Sequence, residues 1–212
     1  MQPLLIFPCN GNGLEALDCL GDAYELIGFV DDTPEKQGRD DRGFTVFDRS
    51  ALTRCPDARV LAVPGGPRSF RSRRQVIERL GIDPDRFATV VHPAARVSPL
   101  ARLGRNVLLM AGAVVTSNAV IGDHVCVLPN TVIHHDVNLG RWSLVGSGVT
   151  IAGGTRIGAN CYVGSGSSIM NNLEIGEGAL VGLGSTVIRN VAPGRTVAGN
   201  PARERDQAGI QP

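Results

Sequence analysis

Between Val97 and Val187 the hydrophobic positions of the chain recur with a fixed spacing of six residues. An aliphatic side chain occupies sixteen consecutive positions of this spacing without a gap, and a small Ala, Val, Ser or Thr follows four residues later in fourteen cases. The aliphatic series is Val97, Leu103, Leu109, Val115, Ile121, Val127, Ile133, Leu139, Val145, Ile151, Ile157, Val163, Ile169, Ile175, Val181 and Val187. A period of six fits neither an α-helix nor a single amphipathic strand, and it predicts short strands separated by sharp corners.

Hexapeptide repeats of this kind are typical of parallel β-helices, in which three hexads form one triangular coil. Glycine follows the aliphatic residue directly in eight of the sixteen hexads. Glycine and asparagine at the corners permit a positive φ angle. Residues three hexads apart are therefore expected to stack on the same corner. Two columns of interest are His135, Gly153 and Asn171 on one corner, and Ser147, Ser165 and Leu183 on another.

Residues 1–91 follow a different pattern, in which short buried strands alternate with helical segments. Strands are predicted over residues 4–7, 26–30 and 59–63, and a helical pattern follows the first of them over residues 14–20. Such alternation predicts a small parallel sheet. We therefore predict an α/β domain over residues 1–91, a β-helix over residues 92–202 and a polar tail over residues 203–212.

Polar and glycine-rich turns follow the three predicted strands of the α/β domain. They contain Asn10, Gly11 and Asn12, then Asp31 and Asp32, and finally Gly65. A glycine-rich turn before a helix presents backbone N–H groups to a phosphate, and an acidic residue after the second strand commonly contacts a ribose hydroxyl. A plain tight turn and solvated carboxylates are the alternatives, because the first loop lacks the third glycine of a dinucleotide-binding motif.

Arginines cluster after the third predicted strand, where a helix is expected. The cluster consists of Arg68, Arg71, Arg73, Arg74 and Arg79. A phosphate contact is conceivable for Arg68, but a run of charges on a helix is usually a solvated face. We therefore predict that most of these side chains face solvent.

The overall composition excludes several classes of partner. The 21 basic and 20 acidic residues leave a formal charge of +1, which gives no electrostatic reason to expect nucleic acid or a membrane surface. The apolar run at residues 4–7 is too short for a signal peptide or a membrane span. Five scattered cysteines without a CxxC pair indicate reduced thiols in a cytoplasmic protein, with no disulfide framework and no metal site.

The most suggestive chemical group is a histidine beside a carboxylate within the repeat. Of the four histidines, only His135 is followed by an acidic residue, Asp136. A carboxylate can fix the tautomer of an imidazole and raise its basicity, so the pair can serve as a general base. Two exposed histidines on a turn are the alternative. A cysteine acyl-enzyme is disfavoured, because Cys161 takes an inward position and Cys126 has no adjacent base.

The hexad run and the closing stretch at residues 197–202 resemble the left-handed β-helix of bacterial hexapeptide-repeat acyltransferases. The order of an α/β domain before the β-helix is similar to nucleotide-amino-sugar N-acetyltransferases and sialic acid O-acetyltransferase-like enzymes. The resemblance implies a Rossmann-like N-terminal domain and a homotrimer. It also implies an acetyl-CoA-dependent enzyme that acetylates a nucleotide-linked amino sugar in polysaccharide biosynthesis.

The resemblance further implies roles for individual residues. Nucleotide-sugar binding is implied for Asn10, Gly11, Asn12, Asp31, Asp32 and Gly65, and acetyl-CoA binding for Leu144, Gly153, Ser165 and Leu183. His135, supported by Asp136, would deprotonate the acceptor for direct transfer, and the N–H of Gly153 would face the developing oxyanion.

Three other functions are compatible with the same residues. The same base could serve O-acetylation of a sugar or sialic acid hydroxyl. The protein could also be a non-catalytic trimer that binds nucleotide sugars. A zinc site of the γ-carbonic-anhydrase type on the same prism is the third alternative, although the histidines do not show its spacing.

Overall fold

The six-residue period of the sequence forms a triangular prism in the structure. The computed structural model describes residues 1–205. Each hexad contributes one two-residue strand, and strands 18 residues apart pair in parallel, so that Val114 lies beside Val132 and Val132 beside Thr150. The predicted stacking of residues three hexads apart is therefore confirmed.

Three parallel sheets form the faces of this prism. The first face contains Val90–Val91, Leu108–Leu109, Cys126–Val127, Leu144–Val145, Tyr162–Val163, Leu180–Val181 and Thr196–Ala198. The second contains Arg96–Val97, Val114–Val115, Val132–Ile133, Thr150–Ile151, Ser168–Ile169 and Thr186–Val187. The third contains Arg102–Leu103, Val120–Ile121, Asn138–Leu139, Arg156–Ile157 and Glu174–Ile175. The β-helix thus begins at Val90, slightly before the predicted boundary.

The interior of the prism explains why small residues alternate with the aliphatic ones. Both sets are buried in one core, and several of the small positions carry a hydroxyl group. These hydroxyls donate to carbonyl oxygens of the next coil, as Thr131 does to Gly146 at 2.7 Å and Thr155 does to Met170 at 2.9 Å. A buried hydroxyl costs little when it is hydrogen-bonded, so serine and threonine are accepted inside the prism.

The N-terminal domain is built on one mixed sheet. Its strands are β1 (Gln2–Phe7), β2 (Tyr24–Val30), β3 (Gly38–Arg39), β4 (Thr45–Phe47) and β5 (Arg59–Ala62), in the order β3-β4-β2-β1-β5. Only β3 is antiparallel to its neighbour. The α-helices are α1 (Gly11–Glu15), α2 (Ala51–Arg54) and α3 (Arg73–Glu78), and 3-10 turns span Ala16–Cys19, Pro34–Lys36, Phe70–Ser72 and Pro84–Arg86. The predicted strands are present as β1, β2 and β5, whereas β3, β4 and α2 had no sequence signal.

The N-terminal domain covers the first face of the prism. The outward side chains of that face, Leu108, Cys126, Leu144, Tyr162 and Leu180, lie in one buried cluster with residues of the α/β sheet. The turns between the third and first faces carry Asn106, His124, Trp142 and Asn160, and we call this edge the docking corner. Asn106 exchanges two hydrogen bonds with the backbone of Ala62, at 2.7 and 2.8 Å. Residues 1–205 leave the second and third faces uncovered.

The end of the described chain extends the first face. Arg203–Arg205 forms an antiparallel strand against Thr196–Ala198, so the tail predicted from residue 203 begins inside a strand. These polar residues pair through their backbone, which a reading of side-chain polarity cannot show. Residues 206–212 lie outside the described part of the chain. Within residues 1–205, no helix has the length and apolar character that crossing a bilayer requires.

Candidate active site

His135 and Asp136 occupy an exposed turn between the second and third faces. The imidazole Nδ1 lies 2.7 Å from the carboxylate Oδ2 of Asp136, and Asn118, one coil earlier, donates to the other carboxylate oxygen at 3.0 Å. Hydrogen bonds from His135 and Asn118 lower the pKa of Asp136 below its usual value. An ionised Asp136 favours the tautomer with the proton on Nδ1, which leaves the Nε2 lone pair free to accept a proton.

The imidazole of His135 lies directly over Gly153 in the next coil. A Cβ atom at position 153 would be 2.6 Å from both Cε1 and Nε2 of the ring, so any other residue there would push the imidazole aside. The ring itself therefore occupies the space that a side chain at position 153 would take. Among the hydrogen bonds of residues 1–205, the N–H of Gly153 has no backbone or side-chain acceptor, which leaves a donor beside the reactive nitrogen.

Ser147, Ser165 and Leu183 form the second predicted column, which we call the Ser165 corner. Ser165 accepts a hydrogen bond from the N–H of Ser147 at 3.0 Å, and Leu183 is 71% exposed. This corner precedes the second face, whereas His135 follows it, so the two columns flank the same open face.

Leu144 is separate from both columns. Its side chain is 2% exposed and packs between the β-helix and the N-terminal domain. In each two-residue strand, the residue before the inward aliphatic side chain points outward. On the first face, outward side chains enter the core between the two domains. The acetyl-CoA contact predicted for Leu144 therefore does not fit the structure of this chain.

The loops predicted to bind the nucleotide sugar meet at the carboxyl edge of the α/β sheet. Asn10 caps α1 by accepting from the N–H of Gly13 at 2.9 Å. Asn12 donates to the carbonyl oxygen of Gly65 at 3.3 Å, which joins the turn after β1 to the turn after β5. Gly65 has a φ of 106°, a conformation that favours glycine. Gly11 lies exposed at the start of α1.

The two acidic residues after β2 are already engaged by the chain. Asp31 is 3% exposed and accepts from the N–H groups of Cys9 at 3.0 Å and Thr33 at 2.9 Å, and from the ammonium group of Lys36 at 3.0 Å. Burial opposes ionisation, but hydrogen bonds from Thr33 and Lys36 hold the pKa of Asp31 below its usual value. The exposed Asp32 pairs with Arg49. Asp31 therefore organises the loop. Both carboxylates were predicted to contact the nucleotide sugar, but in the structure both are bound to other groups of the chain.

The buried cysteines are poorly suited to covalent catalysis. Burial raises the pKa of Cys126 and of Cys161 to about 11, so neither thiol ionises readily. Within residues 1–205, no group of three or more His, Cys, Asp or Glu side chains has an arrangement that could hold a metal ion.

The contacts of two residues, Asn118 and Arg73, were not predicted from the sequence. Asn118 lies one coil before Asp136, and the period of the repeat could have revealed it. Arg73 was expected on a solvated helix face together with its neighbours, but its side chain is fully buried. That expectation is wrong for Arg73 because the side of α3 that carries it faces the β-helix, where it donates to the carbonyl oxygen of His124 at 2.9 Å.

Comparison with known proteins places the chain in a family. The family model "Bacterial transferase hexapeptide (six repeats)" matches residues 100–135 and 118–153. The acetyltransferase domain of PglB from Neisseria gonorrhoeae is 30% identical, with 97% of this chain and 100% of that domain covered and a TM-score of 0.84. The chain belongs to the hexapeptide-repeat acetyltransferases. The resemblance drawn from the sequence is thereby confirmed, and the three stacked sheets fit the left-handed β-helix of the family.

Other solved structures share the fold across both domains. A variant of perosamine N-acetyltransferase from Caulobacter crescentus, in complex with CoA and GDP-perosamine, is 23% identical, covering 98% of each chain with a TM-score of 0.83. WeeI from Acinetobacter baumannii is also 23% identical, with 97% of this chain and 100% of that chain covered and a TM-score of 0.81. A search of curated protein sequences gives no match. As a member of the family, the chain is an acyltransferase.

Proposed function

We propose that this acetyltransferase transfers the acetyl group of acetyl-CoA to the amine of a nucleotide-linked amino sugar. The observation that carries the proposal is the His135–Asp136 pair, whose imidazole lies against Gly153, a residue with an N–H that has no acceptor among residues 1–205. A structure of the PglB acetyltransferase domain contains acetyl coenzyme A, and the perosamine enzyme binds GDP-perosamine. Both relatives support the choice of substrates.

The geometry supports direct transfer with His135 as general base. Acetyl-CoA supplies the activated acetyl group as a thioester. Nε2 of His135 takes a proton from the attacking amine, and Asp136 stabilises the imidazolium that forms. The N–H of Gly153 is available to the negative charge that develops on the thioester oxygen. The proton held by His135 can then pass to the departing thiolate, which restores the base.

We assign the nucleotide to the carboxyl edge of the N-terminal sheet, which we interpret as Rossmann-like. The parallel strands lie in the order β4-β2-β1-β5, which corresponds to the order 3-2-1-4 of a doubly wound nucleotide-binding sheet. Asn10, Gly11, Asn12 and Gly65 lie at this edge, where ligands of such sheets bind. In this proposal Asp31 shapes the pocket through Cys9 and Lys36 instead of contacting the ribose.

We further propose that the active enzyme is a homotrimer in which acetyl-CoA lies between subunits. The His135 column and the Ser165 corner lie at opposite edges of the second face, so a neighbouring prism is needed to bring such columns together. From Val114 onward, the outward residues of the second face are uncharged, namely Val114, Val132, Thr150, Ser168 and Thr186. The third face instead carries Arg102, Arg156 and Glu174. The second face is therefore better suited to subunit contact.

The five free cysteines fit a reducing compartment. We therefore propose a cytoplasmic enzyme that prepares amino sugars for polysaccharide biosynthesis.

Thiol release from acetyl-CoA tests the acceptor class. The purified full chain is offered UDP-, GDP- and dTDP-linked amino sugars, the matching nucleotide sugars with a hydroxyl group in place of the amine, and sialic acid. We expect release with an amino sugar and no release with its hydroxyl counterpart. Release with only the hydroxyl acceptors would replace N-acetylation by O-acetylation, and release with none of them would contradict the proposed acceptor class.

A further inference from the structure

Arg73 is the first residue of α3 and is completely buried between the two domains. Its guanidinium donates to the carbonyl oxygen of Pro64, in the turn after β5, and to that of His124, on the docking corner. The Nε atom is buried as well, and it has no hydrogen-bond partner among residues 1–205. One side chain therefore links the proposed nucleotide loop to the β-helix.

The charge of Arg73 has no carboxylate partner. None of the ion pairs formed within residues 1–205 includes it, and its recognised acceptors are two backbone carbonyls. Burial lowers the pKa of Arg73 to about 10, which still leaves the guanidinium charged at neutral pH. A buried charge without a counter-charge is costly, so an anion placed nearby is strongly favoured.

The position of this charge indicates where such an anion would lie. The stem of Arg73 runs beneath Gly65, and a Cβ atom at position 65 would be 3.7 Å from the Arg73 Cδ. Gly65 and Gly66 are partly exposed on the other side of the turn. Asn12 holds the same turn from the β1 side. The buried guanidinium is thus separated from the proposed nucleotide pocket by one layer of backbone without side chains.

We propose that Arg73 is a positioning residue for the diphosphate of the nucleotide sugar. Its buried positive charge attracts the diphosphate to the turn at residues 64–66, and its two hydrogen bonds hold that turn against the β-helix. The inference rests on the proposed nucleotide-sugar function, because it needs an anionic ligand at this turn. In this proposal the diphosphate is attracted by the charge of Arg73 without touching its side chain.

Binding of charged and uncharged nucleotides separates this role from a merely structural one. Isothermal titration calorimetry is performed with UDP, GDP and dTDP and with the uncharged nucleosides uridine, guanosine and thymidine. For Arg73→Gln we expect about a tenfold weaker affinity for the preferred diphosphate and an unchanged affinity for its nucleoside. Arg73→Lys should retain most of the preference. Arg79→Gln, which removes an exposed charge at the end of the same helix, is the matched control and should change neither affinity.

Equal losses for nucleoside and diphosphate in Arg73→Gln, or no loss for either, would overturn the inference. If Arg73→Gln does not fold, Arg73→Met removes the charge without burying another polar group, and the same comparison applies to it. Loss of the diphosphate preference in Arg73→Lys would also contradict an electrostatic role. A wild-type protein that binds none of the three diphosphates would contradict the proposed nucleotide-sugar function itself.

Discussion

At the scale of single residues, the imidazole of His135 occupies space that is open because Gly153 has no side chain. The ring can lie against Gly153 because no Cβ atom is there, while Asp136 binds Nδ1. Asn118 in turn orients Asp136. Three residues on consecutive coils therefore fix one imidazole that is itself exposed to solvent.

Replacing Gly153 by Ala should displace the imidazole with little effect on folding. We expect kcat to fall by about a hundredfold, because a reacting group moved by an ångström or so loses its alignment. The unfolding temperature should change by no more than a few degrees. In a His135→Ala background the same substitution should have no further effect on activity, since the clash is gone. A Gly153→Ala enzyme with wild-type kcat would show that the ring position does not matter.

The sequence predicted those contacts of the site that follow from the six-residue repeat. The period placed His135 next to Gly153 and Ser147 next to Ser165, and both contacts are present. The period could not reveal the burial of Arg73, which lies outside the repeat on a helix of six residues. Which arginine of such a short run turns inward depends on the docking of the two domains, and no local pattern encodes that docking.

At the scale of elements, the docking corner joins the β-helix to β5, to α3 and to the 3-10 turn before α3. Asn106 bonds to Ala62, His124 accepts from Arg73, and Asn160 donates to the carbonyl oxygen of Arg71 at 3.0 Å. The guanidinium of Arg74 lies 4.8 Å from the centre of the Trp142 ring. Side chains of successive coils thus form a continuous seam, which fixes the nucleotide loops relative to the prism.

The histidine in this seam makes its stability sensitive to acid. His124 packs against Phe87 and Trp142 and lies 3.0 Å from the amide nitrogen of Asn106, and burial lowers its pKa from 6.5 to about 4. Between these values the unfolded chain binds a proton that the folded chain does not. The free energy of unfolding should therefore fall as the pH drops from about 6.5 towards about 4, and level off below.

His124→Asn tests this sensitivity, because asparagine already occupies the same left-handed turn in neighbouring coils. Urea unfolding at a series of pH values should show that the wild type loses on the order of 2 kcal/mol more than the variant between neutral pH and about pH 4, a figure reduced for the partial exposure of the ring. Parallel stability curves for the two proteins would contradict a buried neutral His124.

At the scale of the whole molecule, each face of the prism has a different environment. The N-terminal domain covers the first face, charges mark the third, and the second is open and carries no charged outward residue from Val114 onward. The hexad pattern predicts the prism itself, because every hexad carries the same inward signal. It does not tell the faces apart, since their outward residues differ through partners that are remote in sequence. The covering of Leu144 is one consequence that the sequence alone could not indicate.

The open second face leads to a prediction about assembly. Light scattering on the full chain at micromolar concentration should give the mass of three chains. Replacing the outward Ser168 by Arg should shift the protein towards monomers, whereas the same change at the outward Asn138 on the third face should not. A wild-type monomer at working concentration would argue against an active site shared between subunits.

The proposed role of His135 as the general base of acetyl transfer is best tested by a pair of neighbouring variants. His135→Ala and His134→Ala each remove one imidazole from the same turn, but only His135 contacts Asp136. Thiol release from acetyl-CoA with the preferred amino sugar should fall by about a thousandfold in His135→Ala and stay near the wild-type rate in His134→Ala. An unchanged rate of thiol release in His135→Ala would show that His135 is not the general base.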